Sequence, residues 1–326
     1  MHDFAEHYEG RTVVVTGGNG YLASALSAAL KKTSARVIVV SRRDLAAAAG
    51  VESLKADVRT KDCWREIVER ADVVFHLAGN TSVYSAAKDP ADSLTSTVLP
   101  LNHLTAVAQE TRRRPRVLYA STATVYGLTE KLPVAEDRDT NPITTYDLHK
   151  LFAERQLALA SRQGILEGVS LRLSNVYGPS RAASSADDRG ILNKITRLAV
   201  EGSDLRLFGD GNYLRDYVYI DDVVRAFLVT GAQDGIAGRS FNVASGAGLT
   251  LRDAFQLVIE RAARATGMRS RLHTVPWPED ADAIEFRNFT ADIGAMSSAC
   301  GWKPLVPLTE GVDRLIEDFA AREIHG

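Results

Sequence analysis

Cysteine is scarce in this chain of 326 residues, where only Cys63 and Cys300 occur. Two cysteines provide no disulfide framework, and they are expected to be small buried apolar residues in a reducing compartment. No Cys-x-x-Cys pair is present, and the seven histidines are scattered without a carboxylate cluster beside them. The sequence therefore predicts no metal site.

Excess charge and long apolar runs are also lacking. Lys and Arg number 39 against 41 Asp and Glu, a formal charge of −2, so we expect neither nucleic acid nor an anionic membrane as a partner. No run approaches the roughly 18 apolar residues of a membrane-spanning helix, and the first ten residues hold no signal-peptide core. These absences predict a cytoplasmic protein, and a composition of 45% hydrophobic and 25% charged residues is typical of a folded one.

What is present is an alternation of short β-branched runs with longer amphipathic stretches. This order predicts right-handed βαβ units, and so an α/β fold with a doubly wound parallel sheet. The second half is less regular, with a Ser- and Ala-rich loop over 180–190. The predicted strands of the first half are Thr12–Thr16, Arg36–Val40, Val73–Leu77, Arg116–Ala120 and Val169–Leu173; the predicted helices are Tyr21–Lys32, Cys63–Arg70, Leu99–Arg112 and Leu148–Gln163.

A glycine-rich turn follows the first predicted strand. The order is Gly-x-x-Gly-x-x-Ala from Gly17 to Ala23, directly before a predicted helix. Glycine allows the tight turn and lets backbone amides approach a pyrophosphate at the helix N-terminus. A plain strand-to-helix turn is the alternative, but the context favours a Rossmann-type dinucleotide site. The predicted cofactor contacts here are Gly17, Asn19, Gly20, Tyr21 and Leu22.

The end of the second strand selects the cofactor. Ser41, Arg42 and Arg43 supply a hydroxyl and two guanidiniums, which suit the 2′-phosphate of NADP. The arginines could instead be solvated surface charges, and Asp44 keeps NAD possible. The other predicted cofactor contacts are Asp57 and Val58, which lie between the predicted strands Arg36–Val40 and Val73–Leu77, then Leu77, Ala78 and Gly79 at the end of the latter, and Ala120 and Leu173 further along the chain.

Tyr146 and Lys150 lie four residues apart, on one face of a predicted helix. An ammonium beside a phenol favours the phenolate, so we expect the pKa of Tyr146 to be lowered toward working pH. Tyr146 could then exchange a proton with a carbonyl or alcohol oxygen. Thr122, just past another strand, could hydrogen-bond the same oxygen. A helix-surface pair and a strand-end cap are the alternatives.

These stretches, together with four others, identify a resemblance to the extended short-chain dehydrogenase/reductases, the family of nucleotide-sugar epimerases, dehydratases and ketoreductases. The resemblance implies a catalytic triad of Thr122, Tyr146 and Lys150, with Asn175 and Arg215 at the diphosphate of a nucleotide-sugar substrate. It also implies further substrate contacts at Thr81, Ile191 and Leu192, and a homodimer. The four other stretches are Phe75–Gly79, Leu171–Pro179, Phe208–Val218 and Gly301–Pro304.

The resemblance further implies two domains. The dinucleotide-binding domain is expected to comprise residues 1–178 and about 216–244. A smaller, mixed α/β substrate-binding domain is expected over 179–215 and 245–326.

Three departures from the family pattern stand out. Thr97 replaces the usual helix Asn, which puts the role of that Asn in doubt. Pro278-Glu279-Asp280 replaces an Arg-x-Gly-Asp substrate contact, for which Arg287 is a candidate substitute. Ala123-Thr124 replaces the Asp-Glu pair of the dehydratases, which removes the usual acid and base for water elimination.

A finer similarity is to the 4-ketoreductases of deoxysugar biosynthesis, through Tyr146–Leu151, Asp188–Gly190 and Arg287–Phe289. The resemblance therefore predicts NADPH-dependent reduction of the 4-keto group of a nucleotide-linked deoxysugar. An NAD-dependent nucleotide-sugar 4-epimerase is the alternative, and a non-catalytic nucleotide-sensing protein is the second alternative.

Overall fold

The computed structural model describes residues 4–44, 50–180 and 190–323. Strands alternate with helices along the first half, as the sequence pattern predicts. The strands are β1 (Thr12–Thr16), β2 (Arg36–Ser41), β3 (Val51–Lys55), β4 (Val73–His76), β5 (Arg116–Thr122), β6 (Glu167–Leu173), β7 (Asn175–Tyr177), β8 (Leu205–Phe208), β9 (Leu214–Tyr219), β10 (Ser240–Val243), β11 (Gly248–Thr250) and β12 (Leu272–Val275).

Helices connect most of these strands, and short 3-10 turns cover Ala123–Tyr126 and Ala283–Phe286. The helices are α1 (Phe4–His7), α2 (Tyr21–Leu30), α3 (Lys61–Arg70), α4 (Val83–Lys88), α5 (Pro90–Thr97), α6 (Leu99–Thr111), α7 (Thr145–Arg162), α8 (Ile191–Val200), α9 (Ile220–Ala232), α10 (Leu251–Thr266), α11 (Gly294–Cys300) and α12 (Leu308–Glu323).

A seven-stranded parallel sheet in the order β10-β6-β5-β4-β1-β2-β3 forms the centre of the fold. The chain proceeds outward from β1 to β3 and then returns to β4 on the other side of β1. Ligands of such sheets bind where the strand order reverses, at the carboxyl ends of the strands. The α/β, Rossmann-type fold class is therefore confirmed, and it places a candidate site beyond β1 and β4.

Helices cover both faces of the sheet, because β1 and β4 carry apolar residues at consecutive positions and need burial on both sides. One face packs α2 and α9 through residues such as Leu26 and Phe227. The other packs α3 and α6 through Trp64 and Leu104. Burying each such side chain contributes about 1.5–3 kcal/mol to the stability of the fold. The packed helices therefore hold the strands, and the residues at their carboxyl ends, in place.

The second half adds two small sheets beside the carboxyl edge. One has the order β11-β9-β7, and the other pairs β12 with β8. The predicted division into two domains remains a prediction. Within the described ranges, no helix is long and apolar enough to cross a bilayer, and no group of three or more His, Cys, Asp or Glu could hold a metal ion.

Most predicted elements are present, with ends that differ by at most three residues. The difference that matters is α7, which begins at Thr145 rather than Leu148. Thr144 caps the helix because its hydroxyl accepts a hydrogen bond from the Asp147 amide at 3.1 Å. Helices α4 and α5 were not predicted, and most of the predicted 180–190 loop, including Asp188 and Arg189, lies outside the described residues.

Candidate active site

A groove of about 640 Å³ lies along the carboxyl edge of the seven-stranded sheet. Its volume is within the usual range for ligand sites. The structure brings together here the predicted triad, Thr81 and every predicted cofactor contact. Those lining residues are Gly17, Asn19, Gly20, Tyr21, Leu22, Ser41, Arg42, Arg43, Asp57, Val58, Leu77, Ala78, Gly79, Thr81, Ala120, Thr122, Tyr146, Lys150 and Leu173.

The glycine turn between β1 and α2 forms one wall of the groove. Gly17 has φ +79°, and a Cβ there would lie 3.0 Å from the amide nitrogen of Ala78. Gly20 is the N-cap of α2, and helix N-termini bind phosphate through their amides and dipole. A close backbone approach that only glycine permits, beside a helix N-terminus, fits a dinucleotide pyrophosphate.

The far end of the groove carries positive charge. Arg42 and Arg43 are exposed and line it, while the Ser41 hydroxyl accepts hydrogen bonds from Asn19 Nδ2 at 2.8 Å and from the Arg43 amide at 3.1 Å. The Asp57 carboxylate accepts from Arg59, whose hydrogen bond holds the pKa of that carboxyl below its usual range.

Asp44, which kept NAD possible in the sequence analysis, accepts a hydrogen bond from Lys55 Nζ at 2.8 Å on the exposed surface. Arg42 and Arg43, by contrast, line the groove directly after β2. The preference for NADP remains a prediction.

Tyr146 and Lys150 lie one turn apart on α7, and Thr122 is the last residue of β5. The Lys150 ammonium donates to the carbonyl oxygen of Ala120 at 2.9 Å and lies 5.0 Å from the ring centroid of Tyr119. Lys150 is only 5% exposed, and burial lowers its pKa to about 8. The Thr122 hydroxyl is hydrogen-bonded to Tyr146.

The predicted lowering of the Tyr146 pKa by Lys150 is wrong for this structure. Desolvation of the phenol raises the pKa of Tyr146, the neighbouring Asp147 charge raises it further, and the bond from Thr122 only partly offsets both. Lys150 lies 5.8 Å from the Tyr146 ring centroid and donates to a carbonyl instead. Tyr146 is thus a neutral phenol that can donate a proton.

Thr124 and Asp147 extend the polar site, and the sequence analysis assigned neither a role. The Thr122 and Thr124 hydroxyl oxygens are 2.8 Å apart, and the Thr124 hydroxyl donates to Oδ1 of Asp147. Asp147 is fully buried. The sequence did contain a signal for Asp147. A carboxylate that directly follows the candidate tyrosine must lie in the first turn of the same helix.

Arg215 is outside the groove lining and 3% exposed. Its guanidinium donates to the carbonyl oxygens of Leu214 at 3.0 Å, Glu285 at 2.7 Å and Arg287. Burial, followed by the charge of Arg287, lowers the pKa of Arg215 to about 9. Burial also lowers the pKa of Arg287. Two positive charges therefore lie close together in a poorly solvated setting.

The remaining predicted substrate residues lie outside the groove lining. Asn175 Nδ2 donates to the Asp216 carbonyl oxygen at 3.0 Å. Ile191 is 39% exposed at the start of α8, whereas Leu192 is 1% exposed and packs in the core. Their substrate contacts remain predictions. The Thr97 hydroxyl accepts a bond from the Asn80 amide at 3.4 Å, close to Gly79.

Comparisons with known proteins agree with this geometry. The model of the NAD dependent epimerase/dehydratase family matches residues 13–244. A UDP-glucose 4-epimerase of Mycolicibacterium smegmatis is 30% identical over 269 residues, which cover 82% of each chain.

Two solved structures are also similar. One is a UDP-glucose 4-epimerase of Thermotoga maritima with UDP-glucose, at a TM-score of 0.84 and 27% identity, covering 97% of this chain and 100% of that chain. The other is a UDP-glucose 4-epimerase of Thermus thermophilus in complex with NAD, at a TM-score of 0.82 and 25% identity, covering 94% and 98%.

Proposed function

Because the chain belongs to the NAD dependent epimerase/dehydratase family, we propose that it is a nucleotide-sugar 4-epimerase. The alternative of the sequence analysis thus replaces 4-keto reduction as the main reading, since the relatives in bacteria include UDP-glucose and dTDP-L-rhamnose 4-epimerases. The observation that carries the proposal is the convergence of Thr122, Tyr146 and Lys150 on the groove with the glycine turn.

A nicotinamide dinucleotide in this groove would supply a hydride acceptor for carbon 4 of the sugar and return the hydride to either face. Gly17 and the N-terminus of α2 would hold its pyrophosphate. Asp57 and Val58 would border the adenine, and Lys150 would hold the nicotinamide ribose. A carbonyl acceptor, Ala120, already orients the Lys150 ammonium.

The side chains of the site would transfer the proton of the sugar hydroxyl at carbon 4. When the alcohol is oxidised, Tyr146 would take the proton of the sugar hydroxyl as its phenolate. When the ketone is reduced, the Tyr146 phenol would return that proton to the forming alkoxide, and Thr122 would orient both oxygens by hydrogen bonds. Prepositioned donors at the reacting oxygen lower the barrier because they need no reorganisation during the reaction.

The paired guanidiniums of Arg215 and Arg287 support a diphosphate-bearing substrate. Burial and the charge of Arg287 disfavour the positive charge of Arg215, and burial disfavours that of Arg287. The Glu285 carboxylate, 3.9 Å from Arg215, offsets part of this cost, and a nearby dianion would offset more of it. Arg215 also fixes the segment 285–287 through its bonds to the carbonyl oxygens of Glu285 and Arg287. Its role would thus combine charge with the placement of Arg287.

A homodimer is also proposed, as the family resemblance implies. Helix α7 exposes three large apolar side chains, Leu148, Phe152 and Leu159, which are 41%, 50% and 48% exposed. Covering them would remove apolar surface from water. Light scattering should give the mass of two chains, and one chain's mass would contradict this part of the proposal.

One observation favours 4-keto reduction as a second candidate. Arg42 and Arg43 are exposed at the lip of the groove, next to the Ser41 hydroxyl. A guanidinium pair there suits the 2′-phosphate of NADPH, the cofactor that a reductase consumes and exchanges at every turnover.

The test is to incubate the purified protein with UDP-glucose, and with other UDP- and dTDP-hexoses, without added cofactor. We expect the C4 epimer of at least one to form, and Tyr146→Phe to lower kcat by roughly 10²–10⁴-fold with little change in binding. Stoichiometric NADPH consumption with a nucleotide-linked 4-keto-6-deoxysugar, with no epimer from any hexose, would decide for the reductase.

A further inference from the structure

A second cavity, of about 440 Å³, lies at the amino edge of the seven-stranded sheet, on the side opposite the groove. Its lining includes the residues that directly precede β1, β4 and β5, and the first residue of β6. Because β5 has seven residues, roughly 20 Å of strand separate this amino-edge cavity from Thr122. The lining residues are Arg11, Ala71, Asp72, Arg112, Arg113, Arg114, Pro115, Arg116, Glu167 and Asp234.

Arginine dominates this lining. Five of the ten residues are arginines, against three carboxylates, and four of the five arginines come from the stretch 112–116. The chain as a whole has a formal charge of −2, so the excess of positive charge is local to this edge of the sheet. Like charges held this close repel one another unless an anion lies between them.

The carboxylates of the amino-edge cavity are already engaged. Glu167 and Asp234 both accept hydrogen bonds from the Arg116 guanidinium, at 2.8 and 2.6 Å. The Oδ2 atom of Asp72 accepts one from the Thr12 amide at 2.8 Å. Within the described ranges, no ion pair joins any of these carboxylates to the other four arginines. Arg116 is therefore neutralised by its neighbours, and the other arginines are not.

Those four arginines present unused donors to the cavity. Their guanidiniums form no hydrogen bond or ion pair with any residue that the structure describes. A guanidinium is a planar fork of donors that matches the oxygens of a phosphate group. The four are Arg11, Arg112, Arg113 and Arg114.

The end of α6 explains only part of this charge. A cation at a helix C-terminus interacts favourably with the helix dipole, but the effect falls off beyond the last turn. Arg112 is the C-cap of α6, whereas Arg113 and Arg114 follow it and Arg11 precedes β1. Arg112 also has φ +55°, at a position where glycine is usual. The sequence thus places a guanidinium here despite an unfavourable backbone conformation.

We propose that the amino-edge cavity binds the phosphate chain of a small polyphosphate. Two or three linked phosphates carry a charge that four guanidiniums can match, and the volume of the cavity is usual for a small-ligand site. None of its described lining residues is aromatic, so it offers no ring on which a nucleobase could stack. Inorganic triphosphate and ATP should therefore bind equally well. Because the cavity shares no lining residue with the groove, this site is independent of the proposed function.

The test is calorimetric titration of the whole protein with inorganic triphosphate, and separately with ATP, at matched ionic strength. We expect a binding step that Arg113→Ala/Arg114→Ala weakens by at least about tenfold. Arg269→Ala/Arg271→Ala, which removes two exposed arginines that line neither cavity, should retain it. Arg42→Ala/Arg43→Ala, at the groove, should retain it too. Loss of the step in that groove variant instead would place the triphosphate in the groove and overturn the proposal.

Thermal unfolding without ligand separates binding from a purely structural role. Arg113→Ala/Arg114→Ala should unfold at or above the temperature of the wild type, because it removes repulsion between like charges. A lower unfolding temperature with unchanged affinity for triphosphate would show that these arginines serve only the end of α6, and would overturn the proposal. Binding of ATP without binding of inorganic triphosphate would also overturn it. So would tighter binding of a single-stranded RNA than of triphosphate at equal phosphate concentration, the result expected of a nucleic-acid surface.

Discussion

The Lys150 ammonium lies 5.8 Å from the centroid of the Tyr146 ring and donates its hydrogen bond to the Ala120 carbonyl oxygen at 2.9 Å. The two side chains share one face of α7, but the lysine is desolvated and bonded to a neutral acceptor. A buried ammonium in such a setting lowers the free energy of unfolding. A ligand that binds the folded state can offset this loss.

This cost predicts a specific pH dependence. The pKa of Lys150 falls from 10.5 to about 8 on folding, so between those pH values the unfolded chain binds more protons at this residue. Stability contributed by Lys150 therefore rises with pH across that window. Lys150→Met should unfold at a higher temperature than the wild type at neutral pH, and the difference should shrink as pH rises toward about 10.

Thermal unfolding of both proteins across this range, without cofactor, checks the prediction. The comparison cancels the titration of all other groups that the two proteins share. A methionine variant that is less stable at neutral pH, or a difference independent of pH, would contradict the assigned cost.

The spacing of Tyr146 and Lys150 was predictable from sequence because i, i+4 positions share a helix face in any α-helix. The direction of the Tyr146 pKa shift was not, because it depends on how the completed fold removes water from the phenol. Likewise, the phosphate-binding turn at Gly17 follows from local geometry. The bond between Thr124 and Asp147 joins residues 23 positions apart and required the packing of α7 against β5.

Arg215 illustrates the same limit. The residue matches a family position for a diphosphate contact, yet its guanidinium is occupied by carbonyls 70 and 72 positions away in sequence. No local sequence pattern predicts contacts between residues so far apart in the chain. The parallel sheet itself was predictable because buried strands and amphipathic helices are encoded over short windows.

Gly17→Ala should abolish tight dinucleotide binding. Its φ is +79°, and the new Cβ would lie 3.0 Å from the backbone of Ala78. Gly10→Ala is a matched control, since Gly10 has φ +68° but nothing within 4 Å of the new Cβ. Both should lose about 1–2 kcal/mol of stability from the left-handed backbone. Calorimetric titration with NAD and NADPH should show a loss of affinity for Gly17→Ala alone; equal affinities would remove Gly17 from the site.

Replacing both Arg42 and Arg43 by alanine should erode any preference for NADPH over NADH, because the 2′-phosphate would lose its cationic partners. The measurement is the ratio of the two dissociation constants before and after the change. Alanine at Lys31 and Lys32, two exposed cations on the surface after α2, controls for the loss of net charge. A wild-type preference for NADH would refute the NADP prediction directly.

Arg215→Ala should raise KM for a nucleotide sugar by at least about tenfold, since charge-assisted bonds to phosphate are among the stronger hydrogen bonds. Inhibition by the free nucleoside diphosphate should weaken in parallel. Arg206→Ala, at an exposed position of β8, provides the control. An unchanged KM with a lowered unfolding temperature would show that Arg215 only braces the segment 285–287.

The most direct test of the proposed function is the fate of the hydrogen at carbon 4. A 4-epimerase removes that hydrogen as hydride and returns it to the same sugar. Starting from UDP-glucose deuterated at carbon 4, or from the dTDP or UDP hexose that proves to be the substrate, mass spectrometry should find the deuterium retained in the epimer, even with excess unlabelled NADH or NADPH in solution. Loss of the label to the free cofactor, with net consumption of NADPH, would contradict the account.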